Sequence, residues 1–238
     1  QEIELYDASR SKEKENILHI LKNLKFTSGF RAKNKKQKKL LQLIHENEII
    51  FVAGPAGTGK TIISLKASLE LLRDESSPIE KILIAKPIIE AAESLGFLPG
   101  DIDSKIEPFM SSYDINFNKL TNPELIKKLF NHGTIEAKPL AHMRGETFVN
   151  TVAILDEAQN TTKLGLKLFL TRKDENSKII VVGDLDQSDL KLKNGQKNAL
   201  QEAFDIFQNI KGIVFLKFEE DDIIRSKILI DILKRYKN

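Results

Sequence analysis

Five short apolar runs punctuate the chain: Ile49–Ala53, Ile82–Ala85, Val152–Leu155, Ile179–Val182 and Ile213–Leu216. Each holds four or five residues, several of them β-branched, and is too short for a typical helix. Such runs predict buried strands. Between and around them the apolar residues change period. Leu40, Leu41 and Ile44 share one helical face before the first run. Ile62, Leu65, Leu69 and Leu72 continue after it, and Leu164, Leu168 and Phe169 follow the third run. Ala199, Ala203, Phe204 and Phe207 precede the fifth, and Ile223, Ile224, Ile228, Ile232 and Leu233 close the chain. Strands alternating with helices predict an α/β fold with a mainly parallel sheet of five or more strands, covered by helices on both faces.

Four of the five runs end in polar or glycine-rich residues: Gly54-Pro55-Ala56-Gly57, Lys86-Pro87, Asp156-Glu157 and Gly183-Asp184. Ligands of open parallel sheets bind outside the carboxyl ends of the strands. These four segments are therefore expected to converge, although they lie far apart in sequence. Two regions fall outside the alternation. Residues 1–32 show no strand and read as a helical or partly ordered arm. Residues 33–238 read as one domain with an insertion at 88–148, in or beside which Pro87, Pro99, Pro108, Pro123 and Pro139 limit helices to short lengths.

The first polar segment carries the most chemistry. Gly54-Pro55-Ala56-Gly57-Thr58-Gly59-Lys60-Thr61 fits the phosphate-binding pattern GxxxxGK[ST]. Glycines let successive backbone N–H groups turn toward an anion, and the following helix adds the positive end of its dipole. Lys60 is expected to reach the β- and γ-phosphates and Thr61 to give its hydroxyl to Mg²⁺. The context agrees, since the loop follows an apolar strand and precedes an amphipathic helix. The third run ends in Asp156 and Glu157. Asp156 is placed to hold Mg²⁺ directly or through water, and Glu157 to polarise a water for attack on the γ-phosphate. That favours hydrolysis over small-molecule kinase chemistry. Gly183-Asp184-Leu185-Asp186-Gln187 offers an amide able to touch the γ-phosphate; a simple strand-ending turn is the alternative.

Composition narrows the remaining classes. The 238 residues are 41% hydrophobic and 30% charged, as in an ordinary globular protein. No stretch approaches the roughly 20 apolar residues of a membrane span, and no secretory signal pattern opens the chain. The absence of cysteine excludes disulfides and thiolate metal sites, and a cytoplasmic location is expected. His19, His45, His132 and His142 are too scattered for a ligand set. The net charge is only +3, but Lys22 to Lys39 contains eight basic residues and no acidic one, five of them lysines between Lys33 and Lys39. That run suits either nucleic-acid phosphates or a solvated helix face.

Taken together, "GPAGTGKT", "LGFLPGD" (95–101), "PLAHMRGET" (139–147), "ILDEAQN" (154–160), "FLTR" (169–172) and "GDLDQSDL" (183–190) resemble, in order, the segments of the PhoH family of P-loop ATPases, which is related to the superfamily-one helicase core. The resemblance covers roughly residues 34–230. It implies a three-layer P-loop NTPase (RecA-like) fold and the cofactors ATP and Mg²⁺. It implies that Gln37 reads adenine, with a surface helix position as the alternative, that Gln187 senses the γ-phosphate, and that Arg225 completes the site. Arg172 and Arg144 also match family positions. Departures occur at Lys86, where Arg-Pro is usual, at Glu146, where a second arginine is frequent, and at Ser226, where histidine is common. They bear on contacts to nucleic acid or a neighbouring subunit more than on hydrolysis.

The chain has one P-loop and one acidic strand end, whereas the related helicases place two such lobes in one polypeptide. A homo-oligomeric ring, a hexamer by the resemblance, would let a neighbour supply Arg225 or Arg172; an arginine acting in cis is the rival. The expected function is Mg²⁺-dependent ATP hydrolysis coupled to nucleic acid, single-stranded RNA first. The alternative is a nucleotide-dependent assembly module without translocation, which the scarcity of aromatic residues favours mildly.

Overall fold

The computed structural model describes residues 15–87, 113–143, 145–190 and 196–224, with isolated positions 228 and 235. Six strands form one sheet: β1 (Ile49–Ala53), β2 (Lys81–Lys86), β3 (Ile135–Pro139), β4 (Thr151–Leu155), β5 (Lys178–Gly183) and β6 (Ile213–Lys217). Their order is β3-β2-β4-β5-β1-β6, and every pairing is parallel. All five expected strands are present. The sixth, β3, lies in the supposed insertion and escaped the apolar pattern. It is an edge strand in which only Ile135 and Pro139 are buried, so neither a continuous apolar run nor strict alternation is required of it.

Period-two alternation sorts the sheet residues onto two faces. Ile50, Val52, Ile82, Ile84, Val152, Ile154, Ile180 and Val182 enter one core; Phe51, Ala53, Leu83, Ala85, Leu155, Ile179 and Val181 enter the other. The first core is covered by α1 (Lys35–Glu46), α2 (Lys60–Arg73) and α3 (Pro123–Asn131), together with the helical stretches 15–23 and 113–120. The second is covered by α4 (Lys163–Leu170) and α5 (Ala199–Ile206). The result is the three-layer P-loop NTPase architecture. Phe51 is the hub of the second core, stacked on Phe215 at 5.1 Å and close to Phe204 and Phe207.

Side-chain caps start α1, α3, α4 and α5. Asn34 accepts from Gln37 N at the start of α1, Asn122 from Glu124 N before Pro123 of α3, Thr162 from Gly165 N before α4, and Asn198 forms a capping box with Gln201 before α5. Two details depart from the sequence pattern. Leu166 and Phe169 bury the inner face of α4, whereas Leu164 is 64% exposed and Leu168 is also exposed. The helix reads KLGLKLFL, so apolar residues occupy nearly every direction and do not set its phase. Ile223 and Ile224 are not helical, and most of the expected closing helix lies outside the described residues. Ile20, Leu21 and Leu24, from the segment read as an arm, are buried in the first core. Arg73 Nη1 bonds the Leu24 carbonyl at 3.1 Å. Among the described residues, no helix is long and apolar enough to cross a membrane.

Candidate nucleotide site

Because the sheet is wholly parallel, the carboxyl ends of β2, β4, β5 and β1 share one edge, and those strands are consecutive neighbours. The four polar segments therefore meet there. A pocket of about 290 Å³ opens at this edge, lined by Ala56, Gly57, Gly59, Lys60, Thr61, Ile62, Asn116, Asp156, Glu157, Gln159, Gly183, Asp184 and Gln187. It joins the phosphate loop, the acidic strand end and the segment containing Gln187.

The loop conformation depends on glycine at two positions in particular. Gly54 has φ 145°, and a Cβ there would lie 2.5 Å from the Phe218 carbonyl oxygen. Gly59, the N-cap of α2, has φ 86°, and a Cβ there would lie 2.4 Å from Gln37 Nε2. The loop is packed against main chain on one side and an amide on the other, so side chains are excluded at both. Pro55 and Ala56 complete the turn, and the Thr58 hydroxyl closes it by donating to the Pro55 carbonyl at 3.0 Å. Lys60 folds over the loop, its Nζ donating to the Gly54 carbonyl at 2.5 Å and to the Pro55 carbonyl at 2.9 Å. Burial lowers the ammonium pKa, and the carboxylates of Asp184, Asp156 and Glu157 offset part of that.

Across the pocket, Asp156 is buried and receives three donors from the described residues. Thr61 Oγ1 lies 3.2 and 3.3 Å from its two oxygens, Tyr113 donates from 3.2 Å, and the Glu157 N–H from 3.1 Å. Burial still raises its pKa, helped by the Glu157 charge; the Glu157 amide and the Lys86 charge act the other way. Glu157 adopts φ 53°, ψ 40°, a left-handed conformation that a glutamate rarely takes. Strain of this kind collects at functional sites. Its carboxylate accepts from Gln159 Nε2 at 2.6 Å, and Gln159 Oε1 in turn accepts from the Asp184 N–H at 3.0 Å. Gln159 thus ties the end of β4 to the end of β5.

The donor set suits Mg²⁺. A carboxylate and a hydroxyl already face each other across one short gap, and both are the hard oxygen ligands that this ion takes alongside water and phosphate. Among the described residues, no group of three His, Cys, Asp or Glu side chains could enclose a metal alone. A cation here would complete its shell with water or phosphate oxygens.

Gln37 is placed differently from what the family resemblance implies. It is 3% exposed, its Nε2 donates to the Thr58 carbonyl at 2.9 Å, and its Oε1 accepts from the Lys33 N–H at 2.8 Å. Both ends of the amide brace backbone, which leaves one N–H of Nε2 and one lone pair of Oε1 beyond those two bonds. Arg172 lies beyond the carboxyl end of α4, with its Nη1 on the Glu146 carbonyl at 2.8 Å and its own carbonyl on the Phe148 N–H. That is the amino-terminal side of β4 and β5, away from its own chain's pocket. Arg225, Arg144 and the segment 95–101 lie outside the described residues.

A family model described as PhoH-like protein matches residues 30–237. The chain belongs to that family. It is 38% identical over 206 residues to a PhoH-like protein of Synechocystis sp., covering 87% of this chain and 62% of the relative. It is 37% identical to a PhoH-like protein of Bacillus subtilis, covering 91% and 66%, and 37% identical to Protein PhoH of Escherichia coli, covering 88% and 59%. This PhoH-like chain thus matches less than two thirds of each of these relatives' own length. Among solved structures it is similar to the large terminase from a thermophilic bacteriophage, with TM-score 0.49 and 13% identity over 84% of this chain and 49% of that one. It is also similar to Pif1 helicase from Candida albicans, with TM-score 0.43 and 17% identity over 88% and 45%.

The sequence pattern missed three contributors to the site. Tyr113 and Asn116 come from the helical stretch 113–120, where Tyr113, Phe117 and Leu120 follow helical spacing and are all buried. That periodicity was a usable signal. Gln159 lies in the "ILDEAQN" segment, two residues beyond Glu157, with nothing in its residue type to announce a bridge.

Proposed function

We propose that this chain is an Mg²⁺-dependent ATPase whose hydrolysis is coupled to single-stranded RNA within a homo-oligomeric ring. One observation carries the hydrolytic part: Lys60, the Thr61–Asp156 pair and a Glu157 held by Gln159 face one pocket. The Gly54–Thr61 backbone receives the β- and γ-phosphates, and Lys60 exchanges the Gly54 and Pro55 carbonyls for phosphate oxygens. Thr61 and Asp156 hold Mg²⁺, which when bound neutralises charge on the β- and γ-oxygens. Glu157 orients a water for in-line attack on the γ-phosphorus. The bond to the β–γ bridging oxygen breaks, releasing ADP and phosphate. Gln159 keeps the Glu157 carboxylate from turning away, and Gln187 follows the γ-phosphate. Arg225, or Arg172 from a neighbouring copy, supplies positive charge to the transition state. Gln37 reaches adenine with the N–H and lone pair that its backbone contacts leave over.

The RNA part is supported by the basic run. Lys33, Lys35, Lys38 and Lys39 are exposed around the start of α1, while Gln37, Leu40 and Ile44 are buried. Hydrolysis measured with and without single-stranded RNA, at low and high salt, alongside mass in solution, tests the reading. RNA should raise the rate in a salt-sensitive manner. A rate indifferent to RNA and DNA, with ATP-dependent change in mass, would replace coupling by the assembly reading. Mixing Lys60→Ala with Arg225→Ala protein should restore activity if the arginine acts between subunits; no rescue at any ratio argues for cis action.

A further inference from the structure

Tyr113 is a buried phenol whose hydroxyl has found the carboxylate of the acidic strand end. It is 1% exposed and donates to Asp156 Oδ2 at 3.2 Å. The helical stretch 113–120 to which it belongs is fixed from below by Phe117 and Leu120, both fully buried, and Phe117 meets Phe130 of α3 edge-on at 5.8 Å. Asn116, three residues on and therefore on the same side of the helix, lines the pocket. One helical turn thus places one side chain on Asp156 and another on the pocket wall.

The other donors to Asp156 have different duties. Thr61 holds the carboxylate through the same hydroxyl whose oxygen would face Mg²⁺. The Glu157 N–H reaches only Oδ1. Among the described residues, Tyr113 is the donor on Oδ2 from outside the strand and the phosphate loop. Hydrogen-bond partners of a metal-binding carboxylate orient it, and their removal typically weakens metal affinity about 10- to 100-fold.

We propose that Tyr113 is a positioning residue that sets the Asp156 carboxylate for the divalent cation, and that the helical stretch 113–120 is thereby coupled to occupancy of the metal site. The proposal rests on the reading of Asp156 as the metal-site carboxylate. Tyr113→Phe keeps the ring and removes only the hydroxyl. Mn²⁺ binding, followed by the paramagnetic resonance of the free ion, is measured on protein saturated with a non-hydrolysable ATP analogue. Binding of the analogue in chelator, and hydrogen exchange across 113–120 with and without Mn²⁺, are measured on the same samples. Tyr113→Phe should bind Mn²⁺ about 10-fold more weakly or worse. Its metal-free nucleotide binding should stay unchanged, and the Mn²⁺-dependent protection of 113–120 should be lost. Phe117→Leu loosens the same stretch without touching the hydroxyl and should lower the melting temperature with Mn²⁺ affinity retained. Equal Mn²⁺ affinity in wild type and Tyr113→Phe overturns the proposal, as does an equal loss in Tyr113→Phe and Phe117→Leu. Asp156→Asn separates the two levels: it abolishes Mn²⁺ binding if only the Tyr113 inference fails, and leaves it intact if the metal-site reading itself is wrong.

Discussion

The two flanks of the pocket are built by different means. On the inner flank, side chains meet one another: Thr61 at the start of α2 with Asp156 after β4, and Gln159 with Glu157 two residues before it. On the outer flank, the phosphate loop is held by its own carbonyls. Gln37 Nε2 takes the Thr58 carbonyl, the Ile224 N–H takes the Gly57 carbonyl at 3.0 Å, and the Phe218 N–H takes the Ala53 carbonyl at 2.7 Å. Lys36 and Asp222 pair at 2.8 Å, and Asn34 Nδ2 reaches the Asp222 carbonyl at 3.3 Å, joining the start of α1 to the segment after β6. In the proposed ATPase, the inner flank would do chemistry with the carboxylates of Asp156 and Glu157, each held by a neutral side chain. The outer flank fixes the shape of a loop whose own working groups are backbone.

Substitutions should separate the flanks by kind as well as size. Lys60→Ala removes the charge that turns from loop carbonyls to phosphate. Turnover should fall by at least roughly 10²–10³, with weaker nucleotide binding, as when an essential transition-state donor is deleted. Glu157→Gln should lower turnover by roughly 10²–10⁴ while ATP stays bound, which single-turnover kinetics and filter binding check together. Normal hydrolysis in this variant would take the water-orienting role from Glu157.

The outer flank should respond in stability first. Gly59→Ala forces a side chain into φ 86° and against Gln37 Nε2. Left-handed backbone alone costs about 1–2 kcal/mol, read by denaturant unfolding. Gln37→Ala should cost about 1–3 kcal/mol because the Thr58 carbonyl and Lys33 N–H lose a buried partner. The double variant should be less destabilised than the sum, since removing the amide relieves the clash but not the strained φ.

The smallest effect belongs to the Lys36–Asp222 pair, which is partly solvent-exposed and worth about 0.2–1 kcal/mol. Burial raises the Asp222 pKa, but the Glu219 N–H and Lys36 together lower it further, to a net value below the ordinary carboxylate range. A depressed carboxylate stabilises the fold at pH above its unfolded value of about 3.9, and the contribution disappears as pH falls through the folded value. Asp222→Asn should therefore lower stability at neutral pH by about 0.2–1 kcal/mol, with the difference from wild type vanishing as pH falls through the folded value, so that the acid limb is flatter.

The same contrast explains what could be read from the chain. The phosphate loop and Asp156-Glu157 were legible because their chemistry needs particular residue types at fixed spacing beside an apolar strand. Five strands were legible as continuous apolar runs: β1, β2, β4 and β5 are buried on both faces, and the half-buried edge strand β6 keeps an apolar run, IVFL, all the same. The brace was not, because its partners are the carbonyls of Ala53, Gly57 and Thr58, which every residue possesses. Gln37 was singled out, but its contacts with Lys33 and Thr58 were invisible without the fold. Edge position hid β3, and an apolar residue in nearly every direction hid the phase of α4. Tyr113 reaches Asp156 across 43 residues, a separation that no local pattern encodes.

The most direct measurement is a crystal structure with Mg²⁺ and a non-hydrolysable ATP analogue. The phosphates should lie along the Gly54–Thr61 backbone, with Lys60 Nζ moved from the Gly54 and Pro55 carbonyls onto phosphate oxygen and the metal between Thr61 and Asp156. Nucleotide bound elsewhere, or Lys60 still closed over an untouched loop with the metal away from Asp156, would contradict the account.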